Sequence, residues 1–280
     1  MKPMNSVTKT IEIGEVKVTA ISDGVLERPL EVMNGVDPAI IEALAGRTMK
    51  DPVFIAVNAY LIEGRGFRAL VDAGSGATMG AELGHLPRNL KAAGWDLESI
   101  THVLLTHIHP DHSNGLIDAA GDKVFPNAEI VVQEDEIKFW VDRDPSQGAH
   151  ERQRHNMAVA RRSFAPYDKQ TTRVLDGEFL PGLSLTKSPG HTPGHSCWTV
   201  QSGPDTLVIW GDTLHMPLIQ LVNPDIGWSH DIDPEMATRS RKRLLDQFSV
   251  ERSIIAGMHI DFPGFGRLRR DAMRYHFDPI

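Results

Sequence analysis

The six residues from His107 to His112 carry four groups able to hold a metal: His107, His109, Asp111 and His112. Just upstream, Thr101, His102, Val103, Leu104 and Leu105 form a short apolar, β-branched run that reads as a buried strand. Just downstream, Ser113-Asn114-Gly115-Leu116 reads as a turn into a helix. The ligands therefore fall on a loop at a strand end, where side chains can converge on a point. Pro110 disfavours helical backbone at His109, so these are not histidines one helical turn apart on a zincin helix. Such a density of ligands is not what a histidine-rich surface loop offers. Neutral imidazoles and a carboxylate suit zinc, and also iron, manganese or cobalt; thiolates are missing from the cluster. Two ions sharing a hydroxide give a strong nucleophile near neutral pH, because bound water can fall to a pKa of about 7.

Three more motifs follow in order. Ser188-Pro189-Gly190-His191-Thr192-Pro193-Gly194-His195 comes after a strand pattern. Trp210-Gly211-Asp212 closes the strand pattern of Thr206-Leu207-Val208-Ile209. Ala256-Gly257-Met258-His259 closes that of Ser253-Ile254-Ile255. Together with H-x-H-x-D-H, this series resembles the metallo-β-lactamase superfamily over nearly the whole chain. The resemblance implies an α/β chain folded as an αβ/βα four-layer sandwich, one domain over residues 1–280. It also implies two divalent ions, zinc before manganese, cobalt or iron. His107, His109 and His191 are then expected on one ion, Asp111, His112 and His259 on the other, and Asp212 as the bridge. Asp111 is further expected to orient the attacking hydroxide. Asp72, after the strand ending at Val71, is expected to orient a ligand or anchor backbone amides. His195 is expected in a supporting role. Cys197 does not match the zinc-binding cysteine of the thiolate-using β-lactamases, whose place Asp212 holds.

A narrower resemblance rests on residues 57–62, 86–94 and 262–266, which look like the methyl parathion hydrolase branch. That branch includes phosphotriesterases and has quorum-quenching lactonases among its relatives. A Phe-Trp pair there comes from a pocket-forming region, which implies that Trp140 lines a substrate cleft; the alternative is a core role for Phe139 and Trp140 on an amphipathic helix. Many acyl-homoserine lactonases place a tyrosine three residues after the bridging aspartate. This chain has His215, a candidate catalytic and substrate-binding group beside the substrate oxygen.

The implied function is hydrolysis of an uncharged ester-type bond in a phosphotriester, lactone or carboxylic ester. The alternatives are a thioester hydrolase of the glyoxalase II type and a redox di-metal protein of the flavodiiron type. The latter usually has glutamate where this chain has His109. A nuclease of the RNase Z type calls for a basic exosite. The formal charge of -8 and the scattered cations give a nucleic acid little to hold. The remaining expected partner is a small-molecule substrate, with apolar residues across 25–36 suggesting a homodimer contact or a lid. No apolar stretch reaches the roughly 20 residues of a membrane helix. Residues 1–10 lack a signal-peptide core, and one cysteine allows no internal disulfide framework, so a cytoplasmic protein is expected.

Local patterns complete the reading. Residues 11–21 form a hairpin about Gly14-Glu15, 53–62 and 67–71 a second hairpin turning at 63–66, and 127–132 a strand. Helices are expected over 36–46, with Asp37 as cap and Pro38 at its first position, over 77–93, over 134–141 and over 234–248. Residues 144–166 read as a helix and loop over the site mouth, with His150 and His155 at the surface. His102 reads as a packed strand histidine. Arg239, Arg241, Lys242 and Arg243 read as the solvated face of the last helix.

Overall fold

The computed structural model describes residues 6–280 apart from 65, 252 and 273, so Arg65 of the expected 63–66 turn lies outside it, as do residues 1–5. Its strands alternate inward and outward side chains, which lets two sheets share one buried face. The first sheet follows chain order: Thr8–Ile13, Val16–Pro29, Pro52–Gly64, Phe67–Val71, His102–Leu104, Glu129–Gln133 and Thr171–Val174. The second also follows chain order: Gly177–Leu180, Leu183–Lys187, Ser196–Ser202, Asp205–Ile209, Ile254–Ala256, Phe265–Arg270 and Tyr275–Pro279.

Burial shows the layers. Tyr60, Val71, Leu104 and Val131 of the first sheet pack against Trp198, Val200, Ile209 and Phe265 of the second, in one central apolar cluster. Outside the first sheet, Val103, Ile130 and Val132 meet Leu86 and Leu90 of helix Leu86–Ala92 and Met157 and Phe164 of helix Glu151–Phe164. Outside the second, Val208 and Ile255 meet Leu244, Leu245 and Phe248 of helix Pro234–Glu251. The order is helix, sheet, sheet, helix: the expected αβ/βα sandwich.

Parallel pairing makes the site. Phe67–Val71, His102–Leu104, Glu129–Gln133 and Thr171–Val174 run parallel as neighbours, and Asp205–Ile209 runs parallel to Ile254–Ala256. Loops leaving the carboxyl ends of parallel neighbours emerge at one edge, where ligands collect in α/β sheets. Asp72, residues 106–112, Asp212 and His259 all follow such ends.

Several expectations need correction. Residues 77–85 are turns, and only Leu86–Ala92 is helical. Gly80 and Gly84 take φ of 107° and 77°, and a Cβ on Gly84 would lie 2.0 Å from the Gly76 carbonyl oxygen. Asp23 fixes this turn by accepting the amides of Ser75, Gly84 and Leu86. Across 25–36, Leu26, Leu30, Val32 and Met33 are buried against Ile219, Ile226 and Trp228, so this stretch is no exposed dimer patch. Arg241 is 2% exposed rather than solvated. It donates to the carbonyls of Thr213, Pro224 and Ile226, and lies 3.7 Å from Asp231. In the 36–46 helix, Asp37 accepts the Ala39 amide and Gly46 ends the helix at φ 65°, as the cap residues predict.

Candidate metal centre

Four of the five histidines of the cluster, His107, His112, His191 and His259, are held through Nδ1, so that Nε2 faces the centre. Asp72 has φ 63° and is buried. Its Oδ1 accepts the Thr106 amide, and its Oδ2 accepts the Thr106 hydroxyl and sits 2.7 Å from His112 Nδ1. A proton on that Nδ1 leaves His112 Nε2 with a lone pair. The same logic applies to His191, whose Nδ1 is 2.7 Å from Asp231 Oδ1, and to His259, whose Nδ1 is 2.8 Å from the Ala56 carbonyl. His107 Nδ1 lies 3.1 Å from the Thr106 hydroxyl. His109 differs by turning Nδ1 inward, with its ring edge-on to Trp140 at 5.3 Å.

The freed atoms form two groups. In the first, His109 Nδ1 is 3.1 Å from His107 Nε2 and 2.8 Å from His191 Nε2. Asp212 Oδ2 joins them, 3.1 Å from His191 Nε2 and 3.6 Å from His107 Nε2. In the second, Asp212 Oδ1 is 3.1 Å from both His112 Nε2 and His259 Nε2. Asp111 Oδ2 completes it, 3.6 Å from each of the same two nitrogens. One carboxylate thus gives one oxygen to each group.

This donor set fits metal ions. His112 Nε2 and Asp212 Oδ1 are buried and, although 3.1 Å apart, are not aligned to hydrogen-bond, a costly state for polar atoms unless an ion takes up their lone pairs. The electrostatics agree. Burial drives the pKa of His107 and of His109 well down, keeping both neutral as ligands must be. Burial also works against charge on His112, yet the carboxylates of Asp212, Asp111 and Asp72 hold it well above its ordinary value. His191 goes up to about 9, burial being outweighed by Asp212 and Asp231. Burial opposes ionisation of Asp212, but the surrounding histidines hold its carboxyl well below the usual range. Without ions the centre therefore retains protons in their place, and ion binding must expel them.

Other site candidates fall as follows. His215 Nε2 is 3.0 Å from Asp212 Oδ2, and the ring stacks on Trp228 at 4.3 Å. Its Nδ1 is buried and unpartnered, and burial lowers its pKa to about 3. Trp140 requires a correction: it is 0% exposed inside the core cluster, so it supports His109 from behind instead of lining a cleft. His195 donates from Nδ1 to the Ser188 carbonyl and accepts the Asp212 amide at Nε2, which fixes the backbone of Asp212. His102 is only partly buried, edge-on to Phe67 and Phe179. His150 and His155 are exposed, His150 capping its helix. Burial raises the Cys197 thiol to about 12.

Sequence reasoning passed over Glu136, Asp231 and His230. Glu136 is fully buried and accepts the amides of Ile108 and Gly194. Asp231 holds His191 and is held in turn by the Trp228 amide and Arg241. His230 lies edge-on to Trp228, its pKa lowered to about 4 by burial. A cavity of about 780 Å³ includes His215 and His259 in its lining, with Phe54, Met216, Ile260 and Phe262 among its apolar walls.

Known proteins resemble this chain in sequence and fold. An N-acyl homoserine lactonase of Bacillus thuringiensis is 29% identical over 169 residues, 59% of this chain. The chain spans 58% of the length of that relative. The uncharacterized protein YobT of Bacillus subtilis is 27% identical over 194 residues, 69% of this chain and 77% of that protein. Among solved structures, the dizinc quorum-quenching lactonase AidC, in complex with a product, superposes with a TM-score of 0.91 at 26% identity. The hydrolase AbOPH, of the beta-lactamase superfamily, gives 0.90 at 28%. Both matches cover 98% of each chain. The family model of the metallo-beta-lactamase superfamily matches residues 53–259, and the chain belongs to that superfamily.

Proposed function

We propose that this protein is a binuclear metal-dependent hydrolase of an uncharged ester-type substrate, with a lactone ranked before a phosphotriester or a carboxylic ester. The carrying observation is Asp212, whose two oxygens each lie 3.1 Å from a histidine of a different group. The dizinc lactonase and the hydrolase that superpose on the chain support the reading. The whole chain is read as one catalytic domain, since both halves supply ligands.

His107, His109, His191 and Asp212 would hold one ion; Asp111, His112, His259 and Asp212 would hold the other. The donors favour zinc, with manganese, cobalt and iron as alternatives. When bound, such ions supply Lewis acidity toward the substrate oxygen and make water a usable nucleophile near neutral pH. Asp111 is the most open of the ligands, its side chain 13% exposed against 3% for Asp212. In this reading it would orient a water and take its proton. Burial favours the neutral form of His215. With its Nε2 proton on Asp212 Oδ2, its Nδ1 keeps a lone pair for a hydrogen-bond donor at the cavity wall that His215 lines. Apolar walls about a cavity of this size suit an uncharged organic substrate. Among the described residues no helix is long and apolar enough to cross a membrane.

Seven ligands exceed what a single four- or five-coordinate ion can use. Protein purified without chelators should therefore approach two metals per chain by elemental analysis. A fully active enzyme with one ion per chain would overturn the binuclear reading. The substrate is tested by comparing kcat/KM on lactones, aryl esters, phosphotriesters, thioesters and a cephalosporin. Lactones are expected to lead. A thioester or cephalosporin leading by an order of magnitude would move the protein to another branch of the superfamily.

A further inference from the structure

The two ligand groups share the 106–112 loop, and Asp72 reaches both, holding His112 directly and His107 by way of Thr106, but their remaining supports differ. The second group is held from the first sheet. Asp72 anchors His112, and the Ala73 amide donates to the His112 carbonyl. His259 is fixed by the Ala56 carbonyl, while Asn58 and Tyr60 hold the carbonyls of Gly257 and Ile260 about it. The first group is held from the helix Glu134–Ile137, which follows strand Glu129–Gln133. There Glu136 Oε2 accepts the Ile108 amide at 2.8 Å, and Oε1 accepts the Gly194 amide at 2.7 Å. Ile108 lies between His107 and His109, and Gly194 follows His191 by three residues. One buried carboxylate therefore ties together the two loops that carry all three histidines of the first group. Those loops also approach the helix at a place that admits no side chain. A Cβ on Gly194 would lie 2.7 Å from the Glu136 amide nitrogen and 2.6 Å from Gln133 Oε1. Along the same segment, Trp140 closes on His109 edge-on.

We propose that Glu136 is a positioning residue that sets the metal affinity of the His107/His109/His191 group in preference to the Asp111/His112/His259 group. The proposal rests on the two-ion reading above. Glu136 is separated from the centre by backbone amides, so it acts through loop geometry. A carboxylate suits the task because both oxygens accept, and each loop presents an N–H. A glutamine presents one oxygen and one NH2 group, so one of the two amides would face a donor. Loss of a group that orients metal ligands typically costs about 10- to 100-fold in affinity.

The test is a cobalt(II) titration of apo protein with chelator competition, run on wild type, Glu136→Gln and Asp72→Asn. Circular dichroism and melting temperature are recorded for each. Cobalt(II) replaces the native ion and reports its surroundings by absorption. Glu136→Gln is expected to bind one ion as wild type does and the other roughly 10- to 100-fold more weakly. The spectrum of the retained ion should match that of His191→Ala, which lacks a ligand of the first group. Asp72→Asn, which touches His112 directly and His107 only through Thr106, should weaken the other ion more than the first. Equal weakening of both ions in Glu136→Gln, or of neither, overturns the proposal while leaving the two-ion reading intact. A wild type that binds one cobalt overturns both. If Glu136→Gln fails to fold, Gly194→Ala carries the test, since its methyl group must part the same helix and loop. The same selective loss is expected there, and loss of both ions equally overturns the proposal.

Discussion

Asp212→Ala is expected to retain the fold, lose most bound metal and drop kcat/KM by at least about 10³-fold on the best substrate, given that enzymes accelerate reactions by about 10⁶-fold or more. The residue sits at the junction of the two groups. Oδ2 lies within 3.1 Å of His191 Nε2, and Oδ1 within 3.1 Å of both His112 Nε2 and His259 Nε2. Removing it takes one ligand from each ion at once. It also leaves the clustered histidines without the carboxylate that offsets their charge. The apo protein should then be less able to keep protons on His112 and His191, whose raised pKa values owe much to Asp212. Metal analysis by mass spectrometry and a melting curve separate the two consequences. A variant with two tightly held ions and near-normal turnover would refute the bridging assignment. Asp212→Asn is the finer comparison: it keeps one oxygen and replaces the other with a donor, so one ion should be lost before its neighbour.

How much of this was legible depends on the range of the contacts. The ligand loop at 106–112 was legible because its chemistry is local: four ligands, a preceding strand and Pro110 lie within a few residues. His191, Asp212 and His259 were legible through their order along the chain. The supports were not. Glu136 meets Gly194 across 58 residues, and Asp231 meets His191 across 40, with nothing unusual in either local sequence. Arg241 looked like its neighbours on a charged helix face, yet it points inward to three carbonyls and Asp231. Amphipathic periodicity says which residues share a face and not whether that face meets a cleft or the core. Trp140 is the case in point, since it is core. The expected helix is absent over 77–85, where Gly80 and Gly84 take left-handed backbone that cannot continue one.

His215→Ala should keep both ions and lower kcat by roughly 10- to 100-fold, less than the roughly 10²- to 10⁴-fold of a full acid–base group, as suits a buried imidazole of low basicity. His215 supplies the metal with nothing in this assignment, since seven other residues fill both groups. Its Nε2 touches Asp212 Oδ2 at 3.0 Å, and its ring lies between Trp228 at 4.3 Å and His259 at 5.1 Å. Stacking alone would explain a buried histidine, but stacking does not call for a bare nitrogen. Nδ1 is buried and finds no partner, and an idle polar atom in that position costs stability unless a substrate or water meets it. Two variants separate packing from chemistry. His215→Phe keeps an aromatic ring on Trp228 and loses both nitrogens; His215→Gln keeps polar atoms and gives up the ring. If the nitrogen matters, His215→Phe should keep its stability and metal yet lose kcat as His215→Ala does, with KM changing little. If the ring alone matters, His215→Phe should turn over as the wild type does. That second outcome would leave the metal centre standing and reduce His215 to a spacer between Trp228 and the bridging aspartate.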